Sequence, residues 1–140
     1  MDAVPTRPTP NGSSPAAVRY ASQVTAVGPM VPDFAEQRIL VFFGGNAPAE
    51  LHDFCVLHSP TVATGGLRVG DEIVIDDTVL SVLALGEVAE ENLINLGHLN
   101  LKAKGETRAP LPGDVCVEDG PLPVPRPGSR FWIREAAGRR

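Results

Sequence analysis

Val69-Gly70-Asp71-Glu72-Ile73-Val74-Ile75-Asp76-Asp77-Thr78-Val79-Leu80-Ser81-Val82-Leu83-Ala84-Leu85 reads as a turn, a strand, a tight turn and a second strand. Gly70 suits a positive φ without steric cost, and the short Asp71 side chain bonds turn backbone. Val and Ile then favour an extended, pleated chain, and Asp76-Asp77 between two such runs marks a hairpin over 72–85. The opening of the unit recurs as Pro112-Gly113-Asp114-Val115 and as Pro127-Gly128-Ser129-Arg130-Phe131. Each repeat has a Gly, then a small polar residue, then an apolar run, so each reads as the entrance to a strand.

Working outward, strands are predicted over 18–27, 38–43, 54–58, 98–103, 115–118 and 131–134. Val outnumbers Leu and Ile, which also favours strands. Residues 30–37 read as a loose turn. Pro48 and Glu50 suit the start of a short helix to 53, and 87–96 is the best helical candidate, stopped by Gly97. The long helices of parallel crossovers are missing, so the fold class is all-β: a small antiparallel β-barrel with one or two short helices. Residues 1–16, rich in Pro, Thr and Ser, read as a disordered tail, 17–135 as the domain, and 136–140 as a frayed end.

Gly and Pro make up a fifth of the 140 residues, consistent with many turns. A net charge of −5 argues against nucleic acid as a partner, because binding it needs a basic stripe, and favours a basic protein partner instead. The longest apolar run, Ile39 to Phe43, is far too short to span a bilayer as a helix. Met1-Asp2 opens with no basic or apolar leader pattern, which makes the cytoplasm the default location. Cys55 and Cys116 match neither a zinc knuckle nor a redox pair and read as packing residues.

No hydrolase elbow, Walker loop or dinucleotide fingerprint is present, and no cofactor is expected. The histidines are His52, His58 and His98. Strand alternation puts His58 on one face with Phe54 and Val56, and Cys55 and Leu57 on the other. An apolar shelf favours the neutral ring, which is a competent nucleophile at pH 7, and the competing reading is a satisfied structural histidine. His98 reads as a cap on the preceding helix and His52 as a solvated residue. A metal site built on all three would require convergence in space, since no zinc-type spacing links them.

Two segments resemble the glucitol/sorbitol-specific enzyme IIA component of the bacterial phosphotransferase system. One is Ala47-Pro48-Ala49-Glu50-Leu51-His52-Asp53-Phe54-Cys55-Val56-Leu57-His58, and the other is Gly86-Glu87-Val88-Ala89-Glu90-Glu91-Asn92-Leu93-Ile94-Asn95-Leu96-Gly97-His98. The likeness continues through Pro112-Gly113 and Pro127-Gly128-Ser129 and covers about 20–135. It implies an all-β barrel and a protein-histidine phosphotransferase role in sugar transport. His58 would be phosphorylated by the phosphocarrier HPr and pass the group to a cysteine of enzyme IIB, part of the membrane-associated IIB/IIC components. His98 is implied as a partner for the phosphoryl oxygens. Apart from the resemblance, the backbone N–H groups of Thr64, Gly65 and Gly66, where the missing Cβ atoms of the two glycines allow close approach, are expected to form a phosphate loop. Ser59 to Gly66 departs from the family pattern, with more hydroxyl groups and no second histidine. That departure motivates the alternative of a non-catalytic regulatory or binding barrel of the same ancestry. Glu50, Asp53, Glu87 and Glu90 are candidates for an acidic rim facing a basic carrier, and an incompletely closed barrel would leave edges for a homodimer.

Overall fold

The computed structural model describes residues 17–63 and 65–136, and the tail expected over 1–16 lies outside them. Its elements are β1 (Val18–Val27), α1 (Val31–Glu36), β2 (Ile39–Gly44), a 3₁₀ helix at Ala49–Phe54, β3 (Val56–Ala63), β4 (Glu72–Ile75), β5 (Thr78–Leu85), α2 (Ala89–Leu96), β6 (Leu99–Lys102), β7 (Asp114–Val117) and β8 (Arg130–Arg134). The strands close into a ring in the order β1-β3-β2-β6-β7-β5-β4-β8. The small barrel is therefore as expected. It differs in two ladders, β2·β3 and β6·β7, which are parallel. Alternation along a strand reveals its faces but not its neighbour's direction, and both pairs are joined by crossovers rather than hairpins. Closure leaves no free edge among the described strands, so the edge pairing that motivated a homodimer has nothing to act on.

The three repeated entrances share one hydrogen-bond pattern, with the left-handed glycine expected in each turn present at Gly70 and Gly128 (φ +96° and +95°) but not at Gly113. Asp71, Asp114 and Ser129 each accept, through a side-chain oxygen, the backbone N–H three residues earlier, from Arg68 (2.9 Å), Leu111 (3.1 Å) and Arg126 (2.9 Å). Their own N–H groups return the bond to the carbonyls of the same three residues. All three side chains are buried, and the two carboxylates are further paired, Asp71 with Arg19 and Asp114 with Lys102 at 2.8 Å. These local bonds, which leave only Asp114 Oδ1 unpartnered among the three side chains, let β4, β7 and β8 start inside the core.

Inside the ring, alternate residues of every strand, Leu40 and Phe42 or Ile73 and Ile75 for example, form one core. A smaller cluster of Ala47, Cys55 and Leu57 lies on the outer wall with Val41, Phe43, Leu51 and Phe54, where the 3₁₀ helix covers β2 and β3. Burial pushes the Cys55 thiol up to about 11, which suits a packing role.

The ring is also a duplication. β1-α1-β2-β3-β4 and β5-α2-β6-β7-β8 have the same element order, and their ladders correspond: β1·β3 to β5·β7, β2·β3 to β6·β7, and β1·β8 to β5·β4. Even the register shift between Val24 and Ala26 returns between Val82 and Ala84. Gly28 donates its N–H to the Cys55 carbonyl (3.1 Å) as Gly86 does to that of Asp114 (2.8 Å). At both glycines a Cβ would collide with a carbonyl oxygen, of Asp53 in one half and Pro112 in the other.

Candidate functional site

β3 begins two residues later than the sequence predicts and runs beyond His58, which is its third residue rather than the end of a strand. Pro60 does not break it, because Pro60 faces Ser22 at a register shift in the β1 ladder, where a missing donor is tolerated. The predicted faces hold from Cys55 to His58 but not at Phe54, which ends the 3₁₀ helix instead of starting the strand and packs with the outer cluster. Val56 joins the inner core, Cys55 and Leu57 join the outer cluster, and His58 points into the barrel with only 1% of its surface exposed. Its ring meets Phe131 at 5.3 Å and Phe42 at 5.9 Å, both edge-on.

Both ring nitrogens are bonded. Nδ1 lies 2.6 Å from Ser22 Oγ, and Nε2 lies 2.7 Å from the carbonyl oxygen of Gly97. A carbonyl only accepts, so Nε2 carries the proton and Nδ1 receives the Ser22 hydroxyl proton. Desolvation holds the imidazole below its ordinary pKa against the opposing effect of the Gly97 bond, so the ring is neutral at pH 7.

Gly97 also lines a cleft of about 200 Å³, bounded by Gly44–Asn46 at the end of β2, by 93–97 at the end of α2, and by Tyr20 and Pro60. The helix end sits against the strand because neither residue has a side chain there. A Cβ on Gly44 would meet the Leu96 carbonyl oxygen at 2.8 Å, and one on Gly97 would meet the Gly44 nitrogen at 2.8 Å. Gly97 has φ +66°, the left-handed stop expected after this helix. Leu96 and Ile94, 48% and 40% exposed, put apolar surface at the rim.

The other expected residues lie elsewhere. Leu99 faces the core, so His98 falls on the outer wall, where it stacks on Phe43 at 4.9 Å; its neighbour Gly97 is the residue that reaches His58. Burial lowers the His98 pKa as well. His52 is exposed and donates from Nε2 to the Ala47 carbonyl at 3.0 Å. Thr64 lies outside the described residues. Gly65 and Gly66 both have φ +90°, but Gly66 packs on Arg19, and neither lines the cleft beside His58. Glu90, at the opposite end of α2 from the cleft, accepts the Leu67 N–H at 3.0 Å. Among the described residues no group of three or more His, Cys, Asp and Glu side chains is placed to hold a metal ion. Ser22, Tyr20 and Gly44 were missed because each contributes through a contact distant in sequence. The usable signal was a polar Tyr20 and Ser22 in step with Val24 on the inward face of β1.

The family described as "PTS system glucitol/sorbitol-specific IIA component" matches residues 19–131. The chain belongs to this family. It is 35% identical over 106 residues to the PTS system glucitol/sorbitol-specific EIIA components of Shigella flexneri and of Escherichia coli strain K12, covering 76% of this chain and 85% of each relative. The crystal structure of a PTS system IIA component from Enterococcus faecalis V583 shares the fold, with a TM-score of 0.68 at 24% identity over 79% of this chain and 96% of that one. Among the described residues no helix is long and apolar enough to cross a membrane.

Two predictions follow for this IIA component. Ser22→Ala strands the Nδ1 acceptor of a buried ring, so urea unfolding should show a loss of about 1–3 kcal/mol. A change below about 0.5 kcal/mol would show that the bond carries no net stability. The second concerns pH. Below the ordinary histidine value near 6.5 the unfolded chain takes up a proton that the folded His58 and His98 resist, so stability falls as pH drops through that value toward their lowered folded values. Unfolding curves at pH 7.5 and 5.5 should differ less in a His58→Gln variant than in the wild type, and equal differences would refute a neutral, burial-depressed His58.

Proposed function

We propose that this chain is a phosphohistidine relay in glucitol/sorbitol uptake, in which His58 takes a phosphoryl group from phospho-HPr and passes it to the cysteine of an enzyme IIB. The observation that carries the reading is the His58 ring itself: a neutral, buried imidazole held at both nitrogens, with Nε2 directed at the residue that lines the cleft. Membership of the family supports it.

The chemistry asks little beyond positioning, because phosphoryl transfer passes through a loose transition state. Nε2 attacks phosphorus in line, the N–P bond to the carrier's histidine breaks, and the carrier's ring leaves with the electron pair. For Nε2 to present its lone pair, the ring proton must sit on Nδ1. Ser22 accommodates both tautomers, since a hydroxyl donates to a bare nitrogen or accepts from a protonated one. The Gly97 carbonyl has no such choice and must turn away from the lone pair. Transfer to the acceptor reverses these steps, with the cysteine thiolate as nucleophile. Exposed Leu96 and Ile94 give either protein partner an apolar rim to seat on.

The near-complete covering of the ring favours a second reading, the non-catalytic regulatory barrel, in which Ser22 and Gly97 lock a structural histidine. Incubation with phosphoenolpyruvate, enzyme I and HPr separates the two. The relay reading expects one acid-labile phosphate per chain, mapped to His58 by mass spectrometry at neutral pH and discharged by an enzyme IIB. No acid-labile phosphate, or phosphate on another residue, overturns it.

A further inference from the structure

We propose that the Tyr20 hydroxyl donates a hydrogen bond to an oxygen of the phosphoryl group while it resides on His58, which makes Tyr20 a catalytic residue of the relay. The assignment rests on the phosphohistidine reading above. Tyr20 lies on the inward face of β1, two residues before Ser22, and its ring meets the His58 ring edge-on at 6.0 Å. It also lines the cleft that Gly97 borders, so the same side chain touches the nucleophile and the space an incoming group would fill.

What singles it out is the state of its hydroxyl. Tyr20 is 98% buried, its Oη has no hydrogen-bond partner, and the only other such side-chain atom among the described residues is Asp114 Oδ1. A buried phenol normally finds a partner, and one left without it carries a free-energy cost that an acceptor arriving in a second state offsets. A phosphoryl group supplies three strong acceptor oxygens and close to two negative charges. The phenol suits this role because burial raises its pKa to about 12, which keeps the donor proton in place. A donor fixed before the charge arrives needs no reorganisation when it does. Neither bond making nor bond breaking involves Tyr20: the N–P bonds exchange between the carrier's ring and His58, and the phenol keeps its proton.

Tyr20→Phe in the full chain removes one oxygen atom and tests the idea. Transfer from phospho-HPr should fall on the order of 100-fold in kcat, with KM within about twofold. The ³¹P resonance of the phosphorylated protein should shift. The urea midpoint should stay level or rise, because the change deletes an unpartnered buried hydroxyl. A transfer rate within about twofold of wild type with an unmoved resonance overturns the proposal. A lowered midpoint that accompanies the rate loss also overturns it, since the hydroxyl would then have a structural partner. Wild type serves as the control. If it takes no phosphate on His58, the relay reading itself falls and this assignment with it; if it does and Y20F keeps pace, only the Tyr20 assignment falls.

Discussion

His58→Gln should abolish phosphoryl uptake from phospho-HPr, by at least about 10⁴-fold in labelled phosphate per chain, while the protein stays folded. Gln is the informative replacement because its amide can still donate to the Gly97 carbonyl, as Nε2 does now, yet has no nucleophilic nitrogen. His58→Ala would confuse two effects. It would leave the Ser22 hydroxyl and the Gly97 carbonyl without their partner and open a void against Phe42 and Phe131, at a cost of about 3 kcal/mol. The pair of variants therefore separates chemistry from packing. If the Gln variant still became phosphorylated at the wild-type rate, the nucleophile would be another side chain.

Gly97→Ala should be the most damaging single-methyl change near the site. The new Cβ would sit 2.8 Å from the Gly44 nitrogen, 2.9 Å from its Cα and 3.2 Å from His58 Nε2. The first two are backbone atoms of a paired strand and cannot swing aside as a side-chain end can. The left-handed backbone adds a further penalty of about 1 kcal/mol for any residue with a Cβ, so the total should reach on the order of 3 kcal/mol. Thermal unfolding should drop by roughly 10 °C, and a variant melting within about 2 °C of wild type would show that the helix end yields more easily than this packing implies. Phosphoryl uptake should fall as well, because the displaced peptide is the one that holds Nε2.

Most of the barrel was legible in the sequence because its signals are local. Gly70-Asp71, Gly113-Asp114 and Gly128-Ser129 announce strand entrances through bonds that span three residues, and the Asp76-Asp77 hairpin formed where expected. Gly97 ended α2 as its position implied. The same locality explains the failures. Nothing within β2 or β3 says that they run parallel, and nothing around Pro60 says that β1 will hold the chain extended past His58. The inward face of His58 followed from alternation, but its two bonding partners lie 36 and 39 residues away. His98 illustrates the limit: it stands next to the residue that matters, and one step along the chain, just before β6 begins at Leu99, moved its ring to the opposite side of the wall.

The duplicated ring has a bearing on how such a site arises. Val117 stands across from Val82 as His58 stands across from Val24, and Leu80 occupies the place of Ser22, so one half carries the hydrogen-bonded His58–Ser22 pair and the other an apolar counterpart. The halves are also interlocked, since β4 is held between β5 and β8 of the other half, and β8 between β1 and β4. A half-length chain could satisfy those strands only against a twin, and that twin would bring an identical pocket. Fusion of two halves into one chain frees them to diverge: one keeps the barrel shut with aliphatic packing while the other tolerates the buried polar pair that the proposed relay uses.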